Sequence, residues 1–175
     1  MAQSHQMLSI TDFNLLNTRS LKSRGFGLLE LVVAMAIMGI LITIALPAMD
    51  SMLLSGRLRS YSNELLASVY LARSEAIKTN AVVTLCASAT GTACDGSWEQ
   101  GWVVLRNNNA VIQSHGELTD GFVVNGSVTT LSFKPTGIGA TQATLTLCKT
   151  GGDQSRVITV NASGRPSVIK TDGGC

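Results

Sequence analysis

Few side chains in this sequence are placed to do chemistry, and the most telling is a single carboxylate. Glu30 closes the stretch Gly25-Phe26-Gly27-Leu28-Leu29-Glu30 and stands one step inside the edge of an apolar run. Positions 31–49 read LVVAMAIMGILITIALPAM, with no charge and with Thr43 as the only hydroxyl. About 20 apolar helical residues are enough to cross the hydrocarbon layer of a bilayer. A carboxylate at that boundary is costly and needs a positive partner or a route to water. Catalytic groupings are missing elsewhere. His115 is the one histidine after residue 25, and it falls in a predicted polar loop. No paired carboxylates, nucleophile motif, metal-ligand set or phosphate loop accompanies it. The sequence therefore predicts no enzyme, no metal and no cofactor.

Four cysteines, Cys86, Cys94, Cys148 and Cys175, all follow the apolar run. None forms a CxxC pair, and no histidine lies close enough in sequence to suggest zinc. An even number in an exported domain points to two disulfides and an oxidising compartment. Three pairings are open, and free buried thiols are the alternative. The local pairing, Cys86 with Cys94 and Cys148 with Cys175, is the expected one. Its second bridge would pin the C-terminal tail and contribute about 3 kcal/mol.

The elements that carry these residues follow from composition. The 175 residues suffice for one domain with an appendage. Arg19, Lys22 and Arg24 cluster just before the apolar run. By the positive-inside rule that flank stays cytoplasmic, and residues 50 onward face outward. A secretory signal would instead be cut after the run, where Ala45, Ala48 and Ser51 imitate a small-residue site. That reading leaves Glu30 and the Gly25-Phe26 junction unexplained. Pro47 removes a backbone donor and should bend or loosen the helix. After Gly56, residues Leu58, Tyr61, Leu65, Val69, Ala72 and Ala76 keep helical spacing, so this half should lie on a folded domain. Beyond residue 80 short alternating stretches rich in Val and Thr predict strands. They are Val82–Ala87, Gly101–Arg106, Ala110–Ser114, Phe122–Val124, Val128–Phe133, Thr144–Cys148, Arg156–Val160 and Pro166–Lys170. The expected organisation is a leader (1–25), a membrane or assembly helix (26–49), an amphipathic helix half (50–80) and a β-rich soluble domain (81–175).

The first of these stretches resembles the prepilin cleavage motif of type IV pilins and type II secretion pseudopilins, whose pattern is Gly followed by Phe-Thr-Leu-Ile-Glu. Gly27 replaces the usual Thr. The resemblance implies that prepilin peptidase cuts between Gly25 and Phe26 and N-methylates Phe26. It makes Glu30 the assembly carboxylate and Pro47 the helix kink near the membrane exit. The new amine at Phe26 of the same chain is too local to neutralise Glu30 well. The amine of an adjacent subunit, displaced by about one helix rise, fits that need and would set the register of assembly. The leader is longer than most in the family, and a start at Met7 rather than Met1 would shorten it.

Two further segments narrow the resemblance. Ala72-Arg73-Ser74-Glu75-Ala76 and Trp98-Glu99-Gln100-Gly101-Trp102 are similar to the FimT/GspH branch of minor pilins and pseudopilins. Their plainer reading is helix surface and core aromatics, and for Trp98 and Trp102 the core reading is favoured. That branch implies an α+β fold, a long N-terminal helix packed on an antiparallel β-sheet domain. FimT-like minor pilins carry a Gly-Arg-x-Arg signature implicated in DNA binding during natural transformation. Here Gly164-Arg165-Pro166-Ser167 has Ser167 in place of the second Arg, with Lys170 the nearest substitute. Arg165 and Lys170 are thus the DNA candidates, against the plainer reading of a turn glycine and a solvated Arg. Residues 26–175 hold ten basic and ten acidic residues, which argues against a broad grip on nucleic acid. A local excess remains from Lys134 onward, five basic residues against two acids.

The function expected is therefore structural. The resemblance implies a minor type IV pilin near the pilus tip, acting in priming and biogenesis, with other major and minor pilins as partners. It would sit in the inner membrane first, its C-terminal domain periplasmic, and in the filament afterwards. The alternatives are a GspH-like pseudopilin of type II secretion and a DNA receptor using the Gly-Arg segment.

Overall fold

The computed structural model describes Gly25 and residues 27–175, without the side chains of residues 46–48. The leader expected over 1–25, Gly25 apart, and the expected processing residue Phe26 lie outside the described residues. The chain divides into two units, Met1–Thr43 and Ile44–Cys175.

Helix α1 (Leu28–Thr79) begins in the first unit. Leu31 N–H donates to Gly27 O over 3.2 Å. The described side chains here are exposed, with Leu28 at 82% and Met35 at 68%. Length and composition are sufficient for this stretch to span a membrane. Helix assignment continues through Pro47, whose side chain is among those not described.

The second unit contains the rest of α1, eight strands and a short 3-10 turn, Trp98–Gln100. The strands are β1 (Val83–Ala87), β2 (Trp102–Arg106), β3 (Val111–His115), β4 (Phe122–Gly126), β5 (Thr130–Phe133), β6 (Ala143–Lys149), β7 (Gln154–Val160) and β8 (Pro166–Asp172). They form two four-stranded antiparallel sheets, ordered β3-β2-β1-β5 and β4-β6-β7-β8. Each predicted strand is present, shifted at most by a few residues at its ends. His115 is a correction. It is the last residue of β3, paired with Trp102 across the ladder, and not part of a loop.

Helical spacing sets how α1 packs. Leu58, Leu65, Val69, Ala72 and Ala76 recur on one face and are buried. They share one core with Leu85, Val104, Leu131 and Phe133 of the first sheet and Leu145, Leu147, Ile158 and Val160 of the second. A smaller cluster of Cys86, Val103 and Leu105 forms from the opposite-pointing side chains of β1 and β2. The helix ends where Asn80 turns left-handed, at φ 50°. Ala81 N–H then reaches Ala76 O, and Asn80 N–H reaches Ile77 O. This pair of bonds is a Schellman closure, with Asn tolerating the left-handed position that glycine usually fills.

Candidate functional site

The N-terminal candidates sit in the open. Gly25 is exposed, and among the described residues, its chain neighbours apart, nothing lies within 4 Å of where a Cβ would stand. Glu30 lies in the first turn of α1 and is exposed. Among the described residues it has neither an ion pair nor a hydrogen bond to its side chain. A carboxylate in the first turn is favoured by the helix dipole, but that dipole gives it no specific partner.

In the second unit the Ala-Arg-Ser-Glu-Ala segment turns out to be a fastening between α1 and both sheets. Ala72 and Ala76 are fully buried, and their small side chains allow close approach. Glu75 accepts from Arg106 at the end of β2 and pairs with Lys78 at 3.6 Å. The Arg106 hydrogen bond holds the Glu75 carboxyl below its ordinary range, against the opposing effect of burial. On the other side Arg73 Nε donates to Ser163 O over 3.0 Å, in the hairpin between β7 and β8. Sequence alone does not reveal Arg106 and Ser163 as partners, because they lie 31 and 90 positions from Glu75 and Arg73.

Trp98 and Trp102 are both buried. Trp98 Nε1 donates to Val128 O and Trp102 Nε1 to Ser68 Oγ, so each indole nitrogen is satisfied inside the fold. His115 stacks on Trp102 with centroids 3.9 Å apart. Its Nε2 lies 2.7 Å from Glu64 Oε2 and its Nδ1 2.7 Å from Gly116 O, which ties β3 to α1.

Cys86 is bonded to Cys94, and Cys148 to Cys175. Beside the first bridge Asp95 organises the loop that the bridge encloses. It accepts from Thr90 Oγ1, Ala89 N, Thr90 N and Ser88 Oγ. The Thr90 hydroxyl leads in holding its carboxyl below the usual range.

The Gly-Arg segment forms the β7–β8 hairpin tip. Asn161 Oδ1 accepts from Ser163 N, Ser163 Oγ and Arg165 N, which fixes the turn from within. Gly164 is buried at φ 68°, and a Cβ there would stand 3.1 Å from Arg73 Cδ and 3.3 Å from Phe133. Only glycine meets both the backbone angle and the space. Arg165 is exposed at this tip. Lys170 is not brought to it. It lies five residues further on, about 16 Å along an extended strand, and faces Arg156 across the β7–β8 ladder. The cation near the tip is instead Lys134, which the sequence offers only as the first member of the C-terminal basic excess. Its Nζ lies 3.5 Å from where a Gly139 Cβ would be, and Gly139 N–H donates to Ala162 O in the tip.

Residues 62–164, more than half of the chain, match the family described as Type II transport protein GspH. The chain belongs to the GspH family. Residues 20–46 match the prokaryotic N-terminal methylation motif, a second family description that brackets Gly25 and Glu30. Among solved structures, the type IV minor pilin FimU of Pseudomonas aeruginosa PAO1 is similar in two crystal forms. One form is 24% identical with a TM-score of 0.52, covering 64% of this chain and 92% of FimU. The other is 23% identical with a TM-score of 0.54, covering 66% and 90%. These likenesses establish a shared fold, a long helix on antiparallel sheets. The minor pseudopilin EpsH of the Vibrio cholerae type 2 secretion system is 12% identical with a TM-score of 0.47, covering 65% of this chain and 96% of EpsH. No curated protein matches the chain.

Proposed function

We propose that this GspH-family chain is a minor pilin that is processed at the membrane and then built into a filament near its tip. The observation that carries this reading is the N-terminal constellation. An exposed Gly25 precedes a helix with Glu30 in its first turn and an uninterrupted apolar stretch behind it. Prepilin peptidase would cut after Gly25 and methylate the amine of Phe26. The apolar half of α1 would anchor the subunit in the inner membrane, with residues 50 onward outside. On assembly Glu30 would meet the Phe26 amine of a neighbouring pilin, an ion pair that hydrocarbon surroundings strengthen. The minor-pilin reading is preferred to a pseudopilin on the Ala-Arg-Ser-Glu-Ala, Trp…Gly-Trp and Gly-Arg segments. Intact mass and N-terminal sequencing of the chain co-produced with prepilin peptidase test it. The expected product begins at methylated Phe26, and Gly25→Ser leaves the precursor uncut. A processed Gly25→Ser chain removes the proposed cleavage site.

DNA capture at the hairpin tip is a second reading. It is favoured by the exposure of Arg165 on a turn fixed by Asn161 and by the nearby Lys134. Arginine forks onto phosphate oxygens, and each lost phosphate contact lowers affinity and flattens its salt dependence. Gel shifts of residues 50–175 with duplex DNA at low salt should show binding that Arg165→Ala weakens. No shift at low salt removes this role and leaves the structural one.

A further inference from the structure

A cavity of about 560 Å³ opens in the second unit, where residues 50–57 of α1 face the loop before β4 and the turn between β6 and β7. Phe122 is buried in its lining, and Leu54 is half-buried. Five charged and exposed side chains stand around it, Arg57 and Lys149 against Asp50, Asp120 and Asp153. None of the five is in an ion pair among the described residues. Charges of both signs that share a cavity without pairing leave their interaction capacity for something else.

The turn that walls the cavity is preformed. Thr150 N–H donates to Gly121 O, and Gly152 N–H donates to Lys149 O, each over 2.8 Å. Gly173 N–H donates to Asp153 O, and the Cys148–Cys175 bridge fastens the tail beside it. Gly174 lies so close to Gly152 O that no Cβ fits between them. The cavity therefore does not depend on its occupant for its shape.

Chain position indicates where it works. Asp50 follows directly on the apolar run 31–49. With that run in hydrocarbon, residue 50 falls at the headgroup layer of the outward-facing leaflet. We propose that the cavity holds the headgroup of one amine-bearing zwitterionic phospholipid, of the phosphatidylethanolamine class. Arg57 and Lys149 take the phosphate, and the three aspartates take the ammonium. Three carboxylates around the cavity would repel a purely anionic headgroup. A primary ammonium offers three N–H donors to them, which a quaternary amine lacks. The volume lies within the common range for small-ligand sites. Such a lipid would hold the subunit to the membrane surface until assembly withdraws it. The inference rests on the membrane-anchored reading above.

The test uses the full chain reconstituted into nanodiscs of equal phosphatidylethanolamine and phosphatidylglycerol. The protein is then extracted into mild detergent and weighed by native mass spectrometry. One retained phosphatidylethanolamine per chain is expected. The Arg57→Glu, Lys149→Glu double variant should lower retention at least about tenfold. Arg59→Glu, an exposed charge outside the cavity lining, should leave it unchanged. Unaltered melting and intact disulfides in the double variant show that its fold is kept. Equal or greater retention of phosphatidylglycerol overturns the proposal, as does retention that the double variant leaves intact. Displacement of the lipid by excess inorganic phosphate assigns the cavity to a free anion and also overturns it. Insertion without retained lipid sinks the headgroup site alone. Failure to insert sinks the membrane reading, and the site with it.

Discussion

Glu75 is the one charged residue among the described buried side chains, and it is held by Arg106 and Lys78. Its folded carboxyl titrates below the ordinary glutamate range because the Arg106 bond favours the ionised form. A lowered carboxyl value contributes stability that is present above the unfolded value. That contribution is lost as pH falls through the folded one. Thermal melts of the wild type and of Glu75→Gln should therefore differ at neutral pH, with the variant less stable. The gap should close as the pH drops below about 4.3, the value of an unperturbed glutamate. A gap constant with pH would mean that packing, not the ion pair, carries the difference. Glu30 is the opposite case, an exposed carboxylate with no partner in its own chain among the described residues. Nothing in the fold depends on it, so Glu30→Ala should be processed and should melt like the wild type. Incorporation into filaments, read by shearing and blotting, should fall steeply. Undiminished incorporation would end its proposed role.

At the scale of elements, α1 between Ala72 and Ala76 joins the two sheets. Arg73 reaches the β7–β8 hairpin and Glu75 reaches β2. Arg73→Ala removes one charge-assisted bond and uncovers Gly164, at a cost of about 1–2 kcal/mol. Amide exchange should accelerate in the hairpin tip, while β1 and β2 stay protected; uniform acceleration would contradict a local clasp. This pin was only half legible in the sequence. Period-2 alternation located all eight strands, and helical spacing located the buried face of α1, because burial leaves a local pattern. Long-range pairing leaves none. Arg73 with Ser163 and Glu64 with His115 are separated by 90 and 51 residues, so their residue types could be noticed but not their partners. His115 reads as loop because its neighbours are polar and exposed, yet it ends an edge strand and stacks on Trp102. Lys134 counts in the sequence only toward a local basic excess, since only the fold brings its loop to the tip.

For the molecule as a whole, the two units are built on different principles. The exposed apolar stretch of the first has no core of its own and needs a membrane or a filament around it. The second has a core spanning helix and both sheets, and each of its disulfides joins a buried cysteine, Cys86 or Cys148, to an exposed one. Cys148–Cys175 closes a separation of 27 residues, which the loop-entropy account values at about 3 kcal/mol. The tail beyond β8 is otherwise held by the Gly173–Asp153 bond and the close approach of Gly174 to Gly152. Once the bridge is cut, that short contact cannot hold the tail against its regained freedom. Cys175→Ser should therefore lower the melting temperature of residues 50–175 by roughly 10 °C. Exchange should rise first at the tail and at the 149–153 turn, not in the core. If melting were unchanged, the tail bridge would be ornamental to the fold. If the entire domain loosened together, β8 would depend on the bridge for its place in the sheet. Calorimetry with residue-resolved exchange separates these outcomes. The expected one, a loosened tail on an intact core, would show that the bridge guards the end of the domain beside residue 50.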